Sequence, residues 1–113
     1  MRAYEMMVIY DADQDDAGIQ NSLNRITELI QGDGGRVANT ERWGRRKFSH
    51  EIKKRNEGYY VILEIVTPAA GMPEVERILR IADGVVRHKV LRLPDAEATR
   101  RGLLGAEPAT SGA

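Results

Sequence analysis

The segment from residue 36 to residue 55 holds the side chains best suited to bind a charged partner. It contains eight Lys or Arg against two Glu, a net charge of +6, in a chain whose formal total is zero. Lys and Arg neutralise phosphates without strict geometry, and the indole of Trp43 offers a plane on which an unpaired base can stack. The segment therefore indicates a polyanionic partner such as RNA. The alternative is that these charges only solvate an exposed hairpin, with Trp43 covering the edge of the core.

The first 35 residues carry the opposite charge, with two Arg against seven Asp or Glu, a net charge of −5. Asp13, Asp15 and Asp16 precede an apolar run with helical spacing, and acids at a helix start complement its dipole. The central glycine and distal Glu of a calcium loop are missing, so helix capping explains these acids better than calcium binding does. They could also steer a basic partner.

Residues for catalysis or metal binding do not converge in the sequence. His50 and His88, the two histidines, lack a carboxylate or second histidine at metal-ligand spacing. The glycine-rich stretch 32–35 follows a predicted helix and enters a strand, which is typical of a C-cap turn and not of a phosphate loop. The chain has no cysteine. The sequence thus predicts no enzyme, no metal site and no cofactor.

The length of 113 residues fits one domain with its own core. The chain lacks an apolar run of membrane length and a signal segment, which together with the absence of cysteine predicts a cytoplasmic protein with no membrane partner. After Pro94 the composition turns polar and small. We therefore predict a domain over residues 1–94 and a mobile tail over residues 95–113. Arg100 and Arg101 could touch phosphate, although a solvated terminus is favoured.

Periodicity predicts six elements. Apolar residues alternate at Tyr4, Met6, Val8 and Tyr10, which indicates a strand over residues 2–10. A helix follows until Gly32, then strands over about 36–52 and from Tyr59, joined by a polar turn over residues 53–58. A second helix opens within residues 68–73, and residues 85–93 form the last strand.

This order, strand–helix–strand–strand–helix–strand, predicts an α+β ferredoxin-like fold. The βαββαβ arrangement gives a four-stranded antiparallel sheet with both helices on one face. The other face would carry two sets of residues, Ala3, Glu5, Met7 and Ile9 on the first strand and Tyr60, Ile62, Glu64 and Val66 on the third. It is more apolar than solvent exposure favours, which predicts a partner surface. Tyr60 is the one aromatic residue in these sets, so base stacking across the sheet is not expected.

Several short stretches, in order and in register from Met1 to about Leu93, carry a family resemblance. They are Met1-Arg2-Ala3-Tyr4-Glu5, Gly34-Gly35-Arg36-Val37, Trp43-Gly44-Arg45-Arg46, Ile52-Lys53-Lys54, Gly58-Tyr59-Tyr60-Val61 and Leu79 to Arg87. Together they resemble the sixth protein of the bacterial small ribosomal subunit. The resemblance implies a ferredoxin-like fold without enzymatic activity, which binds the central domain of small-subunit ribosomal RNA together with the eighteenth protein of that subunit. It also implies that Trp43 serves strand packing more than base stacking.

The hairpin departs from the family pattern at two positions. Phe48 stands where the family has Leu, and His50 where it has Tyr, while Gly44, Arg46, Ser49 and Ile52 fit. Both departures keep a ring or an apolar body, so packing should survive. They leave open whether the chain is a standard copy or a divergent one.

We therefore predict a structural RNA-binding protein of the small ribosomal subunit, which supports subunit assembly and translation and does not bind DNA. The predicted phosphate contacts are Arg2, Arg42, Arg45, Arg46, Lys47, Arg87, Lys89 and Arg92. The alternative is a ferredoxin-like domain that binds a small ligand or is enzymatic and dimerises through its sheet.

Overall fold

The computed structural model describes residues 1–68 and 71–104. The elements are β1 (Arg2–Asp11), α1 (Asp16–Gly32), β2 (Arg36–Ile52), β3 (Arg55–Thr67), α2 (Pro73–Ile81), β4 (Val85–Arg92) and α3 (Asp95–Arg100). The four strands form one antiparallel sheet in the order β2-β3-β1-β4. The first six elements and this strand order confirm the predicted ferredoxin-like fold.

The main core lies between the sheet and the helices α1 and α2. Side chains spaced four, three and four apart on α1 are buried against the alternating residues of β1. These are Ile19, Leu23, Ile26 and Ile30 on α1 and Tyr4, Met6, Val8 and Tyr10 on β1. The Asp15 carboxylate caps α1 by accepting a hydrogen bond from the Gly18 amide at 2.7 Å, as the acidic run predicts.

The hairpin between β2 and β3 is tighter than predicted. Its turn consists of Lys53 and Lys54 alone, since Ile52 already pairs with Arg55. Both lysines have positive φ, 50° and 65°, the conformation that matches the twist of a two-residue hairpin. The prediction of a turn over residues 53–58 was wrong. Polar residues at the end of a sheet can pair through their backbone while their side chains remain in solvent.

Residues 95–104 also differ from the prediction, which placed them in a mobile tail. They form α3 and a following turn that lie on the sheet face opposite α1 and α2, called the open face below. Ala98 and Leu103 are buried there against Ala3 and Val66. The sequence signal was weak because two apolar side chains suffice to cover a small patch. The rest of the predicted tail, residues 105–113, lies outside the described residues.

Candidate nucleic-acid interface

Strand register divides the basic segment between the two faces of the sheet, because directly opposite residues of an antiparallel pair point to the same face. Arg46 lies opposite Gly58, on the open face. Arg42 lies opposite Val61 and Arg45 opposite Tyr59, on the helix-covered face. The positive charge of β2 therefore forms two separate surfaces.

The two arginines on the helix side are engaged within the molecule. The Arg42 guanidinium donates to Asp16 Oδ1 at 2.5 Å and to Gln20 Oε1 at 2.6 Å, both on α1. Arg45 Nη2 donates to the carbonyl of Ala12 at 2.9 Å. The acidic first third of the chain thus neutralises part of the basic segment directly, which the charge count alone does not reveal.

Trp43 and Arg46 form a stacked pair on β2. The guanidinium carbon of Arg46 lies 4.8 Å from the Trp43 ring centroid, within cation–π range. A bulge between Arg42 and Gly44 gives this stretch its geometry, and Gly44 takes a φ of 83° there. Trp43 remains 47% exposed, so it does not cover the core; it orients an arginine.

Two cations of β4 add positive charge to the open face of the sheet. Arg87 lies opposite Ile9 and Lys89 opposite Met7, and neither side chain makes a hydrogen bond or ion pair with another described residue. Leu91, the next residue on this face, is half exposed. With Arg46 across the sheet, these cations flank an apolar strip in which Met7 and Tyr60 are partly exposed and Ile9 and Ile62 are buried.

The remaining predicted contacts lie elsewhere. Arg2 pairs with Thr67, and Arg92 pairs with Tyr4 and lies 3.8 Å from the Asp95 carboxylate. Both are at the end of β1 remote from Asp11, about 20–30 Å away at the usual rise per residue. Lys47 pairs with Glu57 beyond the other end of β1. The eight predicted residues therefore do not form one cluster.

Phe48 packs over the hairpin. Its ring centroid is 6.2 Å from that of Tyr60, tilted by 58°, and the ring lies over Gly58. A Cβ on Gly58 would come within 2.9 Å of Phe48 Cζ, so the absence of a side chain makes room for the ring. Phe48 thus has a packing role, while His50 is exposed.

The tip of the hairpin is tied to the end of β1. Arg55 Nε donates to Asp11 Oδ2 at 2.6 Å. The hydrogen bond from the Asp13 amide, together with Arg55, holds the pKa of the Asp11 carboxyl below its usual value. This anchor brings Ile52 and Lys53 beside α2 and β4, where they line a cleft with Arg80, Arg87 and His88. Sequence reasoning missed this cleft because its residues come from three separate elements and share no spacing.

Within residues 1–68 and 71–104, no group of three or more His, Cys, Asp or Glu side chains could hold a metal ion. In the same residues, no helix is long and apolar enough to cross a membrane.

The family model and the curated relatives that match this chain belong to the same protein family. The family model described as Ribosomal protein S6 matches residues 3–92. The small ribosomal subunit protein bS6 of Carboxydothermus hydrogenoformans is 41% identical over 92 residues, which cover 81% of this chain and 96% of that relative. The bS6 of Corynebacterium efficiens is 39% identical over 93 residues, or 82% and 98% of the two chains.

Solved structures agree in fold. The crystal structure of 30S ribosomal protein S6 from Thermotoga maritima has a TM-score of 0.78 at 30% identity, over 89% of this chain and 95% of that chain. The P2 domain of the chemotaxis kinase CheA from the same organism, solved with the response regulator CheY, has a TM-score of 0.52 at 11% identity, over 81% of this chain and 98% of that chain. The second likeness shows the fold alone.

Proposed function

The chain belongs to the ribosomal protein S6 family, and from this premise we propose that it binds small-subunit ribosomal RNA together with a small basic ribosomal protein. Membership makes the chain a non-enzymatic component of the small subunit of the cytoplasmic ribosome. The proposal adds the RNA, its central domain, and the partner, the eighteenth protein of that subunit. Enzymatic activity, part of the alternative considered from the sequence, does not fit this family.

The observation that carries the proposal is the open face of the sheet. Met7 and Tyr60, which are partly exposed there, lie between Arg46 on β2 and the cations Arg87 and Lys89 on β4. The half-exposed Leu91 follows Lys89 on the same face of β4. A partly exposed apolar surface with a charged rim is typical of a macromolecular interface. The apolar part suits a protein partner, and the cations suit RNA phosphates that pass along its rim.

The predicted phosphate contacts are not equally available. Arg46, Arg87 and Lys89 can turn towards RNA without breaking a hydrogen bond to the described part of the chain, and the same holds for Arg2 and Lys47. Arg42 and Arg45 would first have to leave Asp16 and Ala12. We therefore expect the first group to contribute more to affinity than the second.

The acidic residues of the first third retain a role towards a basic partner. Asp15 is occupied as a helix cap and Asp16 by Arg42, so Asp13, which is exposed, is the acid best placed to attract such a partner. Joint burial of RNA, partner and this chain would give the pair more affinity for RNA than either protein alone.

Binding to a fragment of the central domain of small-subunit RNA, at rising salt and with or without the partner protein, tests the proposal. We expect affinity to fall with salt, because each neutralised phosphate releases counterions, and to rise when the partner is present. The double variant Arg45→Glu/Arg46→Glu should bind less RNA while its circular dichroism spectrum stays unchanged. Affinity that depends on neither salt nor partner would overturn the proposal.

A further inference from the structure

A cleft of about 390 Å³ lies where the hairpin tip meets the end of α2 and the start of β4. It adjoins the rim described above and shares Arg87 with it. The eight residues that line it are Ile52, Lys53, Leu79, Arg80, Val85, Val86, Arg87 and His88. Leu79 and Val86 are buried and form its floor, so the cleft has an apolar base and a basic mouth.

Charge in the cleft is unbalanced. Lys53, Arg80 and Arg87 come from three different elements, and no side chain among the eight lining residues is acidic. None of these three cations makes a side-chain hydrogen bond or ion pair with another residue in the described ranges. Three cations that line one cleft with no acidic residue among the lining side chains give it a positive potential, which favours an anionic ligand.

The backbone of Lys53 is held in a conformation that a lysine rarely adopts. With a φ of 50°, Lys53 occupies the left-handed region, which is less favourable than the right-handed one for an L residue with a side chain. Asn or Gly is the usual choice in such a turn. A lysine there carries its ammonium group to the cleft at the expense of turn stability, a pattern associated with functional sites.

His88 is the fourth polar residue of the cleft, and its contact with Glu76 fixes its ring. His88 Nε2 lies 3.3 Å from Glu76 Oε1 on α2, and this contact sets the orientation of the imidazole ring. The other ring nitrogen, Nδ1, is left as a hydrogen-bonding group for a ligand. Glu76 does not line the cleft itself.

From these observations we infer that the cleft binds a phosphate group, with Lys53, Arg80 and Arg87 as its cationic contacts. The inference rests on the proposed function when the phosphate belongs to the RNA backbone, and it adds Lys53, Arg80 and His88 to the RNA contacts. The volume exceeds that of a bare phosphate and falls in the range of small-ligand sites, so a phosphate with its sugar fits. A free phosphate ester is the second source of the same chemistry.

The turn itself offers a matched pair of variants. Lys53→Asn and Lys54→Asn remove the same charge from adjacent residues that both have positive φ, and Asn tolerates that conformation. Only Lys53 lines the cleft. With the full chain and the RNA fragment, we expect Lys53→Asn and Arg80→Gln each to lower the slope of log affinity against log salt by about 0.7–0.9. Lys54→Asn should leave the slope unchanged.

A second arm uses inorganic phosphate and no RNA. The chain has two histidines, so the ring protons of His88 report on the cleft by NMR while those of the exposed His50 serve as the internal control. A shift at His88 alone that Lys53→Asn weakens identifies a site for free phosphate. Loss of salt slope in the RNA arm without that shift identifies the RNA backbone as the source.

The outcomes separate this inference from the function itself. If the unmodified chain binds RNA and the Lys53 and Arg80 variants bind with the same affinity and slope, and phosphate shifts neither histidine, the phosphate site is refuted and the proposed function stands. If the variants weaken binding of the partner protein in the absence of RNA, the cleft takes an acidic protein group and the inference fails. No RNA binding by the unmodified chain would refute the proposed function.

Discussion

The Arg101 guanidinium lies 3.1 Å from the carboxylate of Glu64, although the two residues are 37 positions apart. The same nitrogen lies 3.0 Å from Glu5, which is directly opposite Glu64 on the neighbouring strand. Like charges directly opposite each other destabilise a sheet, and one guanidinium here bridges the two carboxylates and reduces their repulsion. Arg101 therefore fastens the segment after β4 to the open face.

The first prediction concerns this attachment. Arg101→Gln should loosen α3, because the two sheet carboxylates lose their shared cation, and amide hydrogen exchange at Leu103, which donates to the Ala98 carbonyl, should become faster. Arg100→Gln is the matched control, since Arg100 also pairs with Glu97 but does not reach the sheet. Equal exchange rates in the two variants would show that Arg101 does not hold α3.

The second prediction is that acid releases the same segment. Hydrogen bonds from Arg100 and Arg101 hold the pKa of the Glu97 carboxyl below its ordinary value. A lowered pKa in the folded state means that Glu97 contributes stability above its unfolded pKa, roughly 4.3, and that this contribution is lost as the pH falls through the folded value. The protection factor of the Leu103 amide, which compares its exchange with that of an unstructured chain at the same pH, should therefore fall as the pH drops through the folded pKa of Glu97. In Glu97→Gln, this protection factor should already be low at pH 7 and should depend less on pH.

Strict two-residue alternation on β1 and the four-three-four spacing on α1 were enough to predict the main fold, because each periodicity has one way to bury its apolar side. The attachment of α3 was not predictable from such a pattern. It depends on Ala98 and Leu103 meeting Ala3 and Val66, and on an ion pair between residues 37 apart.

The RNA contacts remain a prediction, and the sequence did not reveal how the basic residues are arranged on the sheet. The bulge at Gly44 changes which residues of β2 share a face, so counting by two from the basic residues cannot separate Arg46 from Arg45 and Arg42 correctly. The ion pair between Arg42 and Asp16 joins the basic segment to the acidic first 35 residues. A count of charges in each segment cannot predict that two of them pair.

The third prediction tests the close approach at Gly58. A Cβ there would lie 2.5 Å from Ile9 Cγ2 and 2.9 Å from Phe48 Cζ, so Gly58→Ala should force the Phe48 ring away from Tyr60. We expect a loss of about 1–3 kcal/mol in the free energy of unfolding, measured with urea. Gly32→Ala is the control, because nothing lies within 4 Å of its Cβ position, and it should be neutral or slightly stabilising. Equal effects would contradict the tight packing.

The fourth prediction uses the ion pair that restrains Arg42. Asp16→Asn should raise RNA affinity by several-fold, because it frees Arg42 in addition to removing a negative charge. Asp13→Asn removes the same charge from an exposed residue that makes no contact with Arg42, so it measures the long-range effect alone. Filter binding at one fixed salt concentration compares the two. If both variants gain equally, Arg42 does not contact RNA.

The fifth prediction separates stability from binding at the hairpin turn. Lys54→Gly should raise the free energy of unfolding by about 1 kcal/mol, because glycine removes the cost of a left-handed lysine and gives back part of the gain as chain entropy. Lys53→Gly should stabilise the turn by a similar amount, since the two residues have φ values of 65° and 50°. Thermal unfolding monitored by circular dichroism measures both.

Binding should distinguish these two equally stabilising changes. Lys53→Gly removes a cation from the cleft beside Arg80, whereas Lys54→Gly does not, so only the former should lower RNA affinity and salt slope. A stabilised variant that binds less RNA cannot owe its loss to unfolding. If both glycine variants kept full affinity, the two lysines would lack a binding role, and the strained turn would need another explanation.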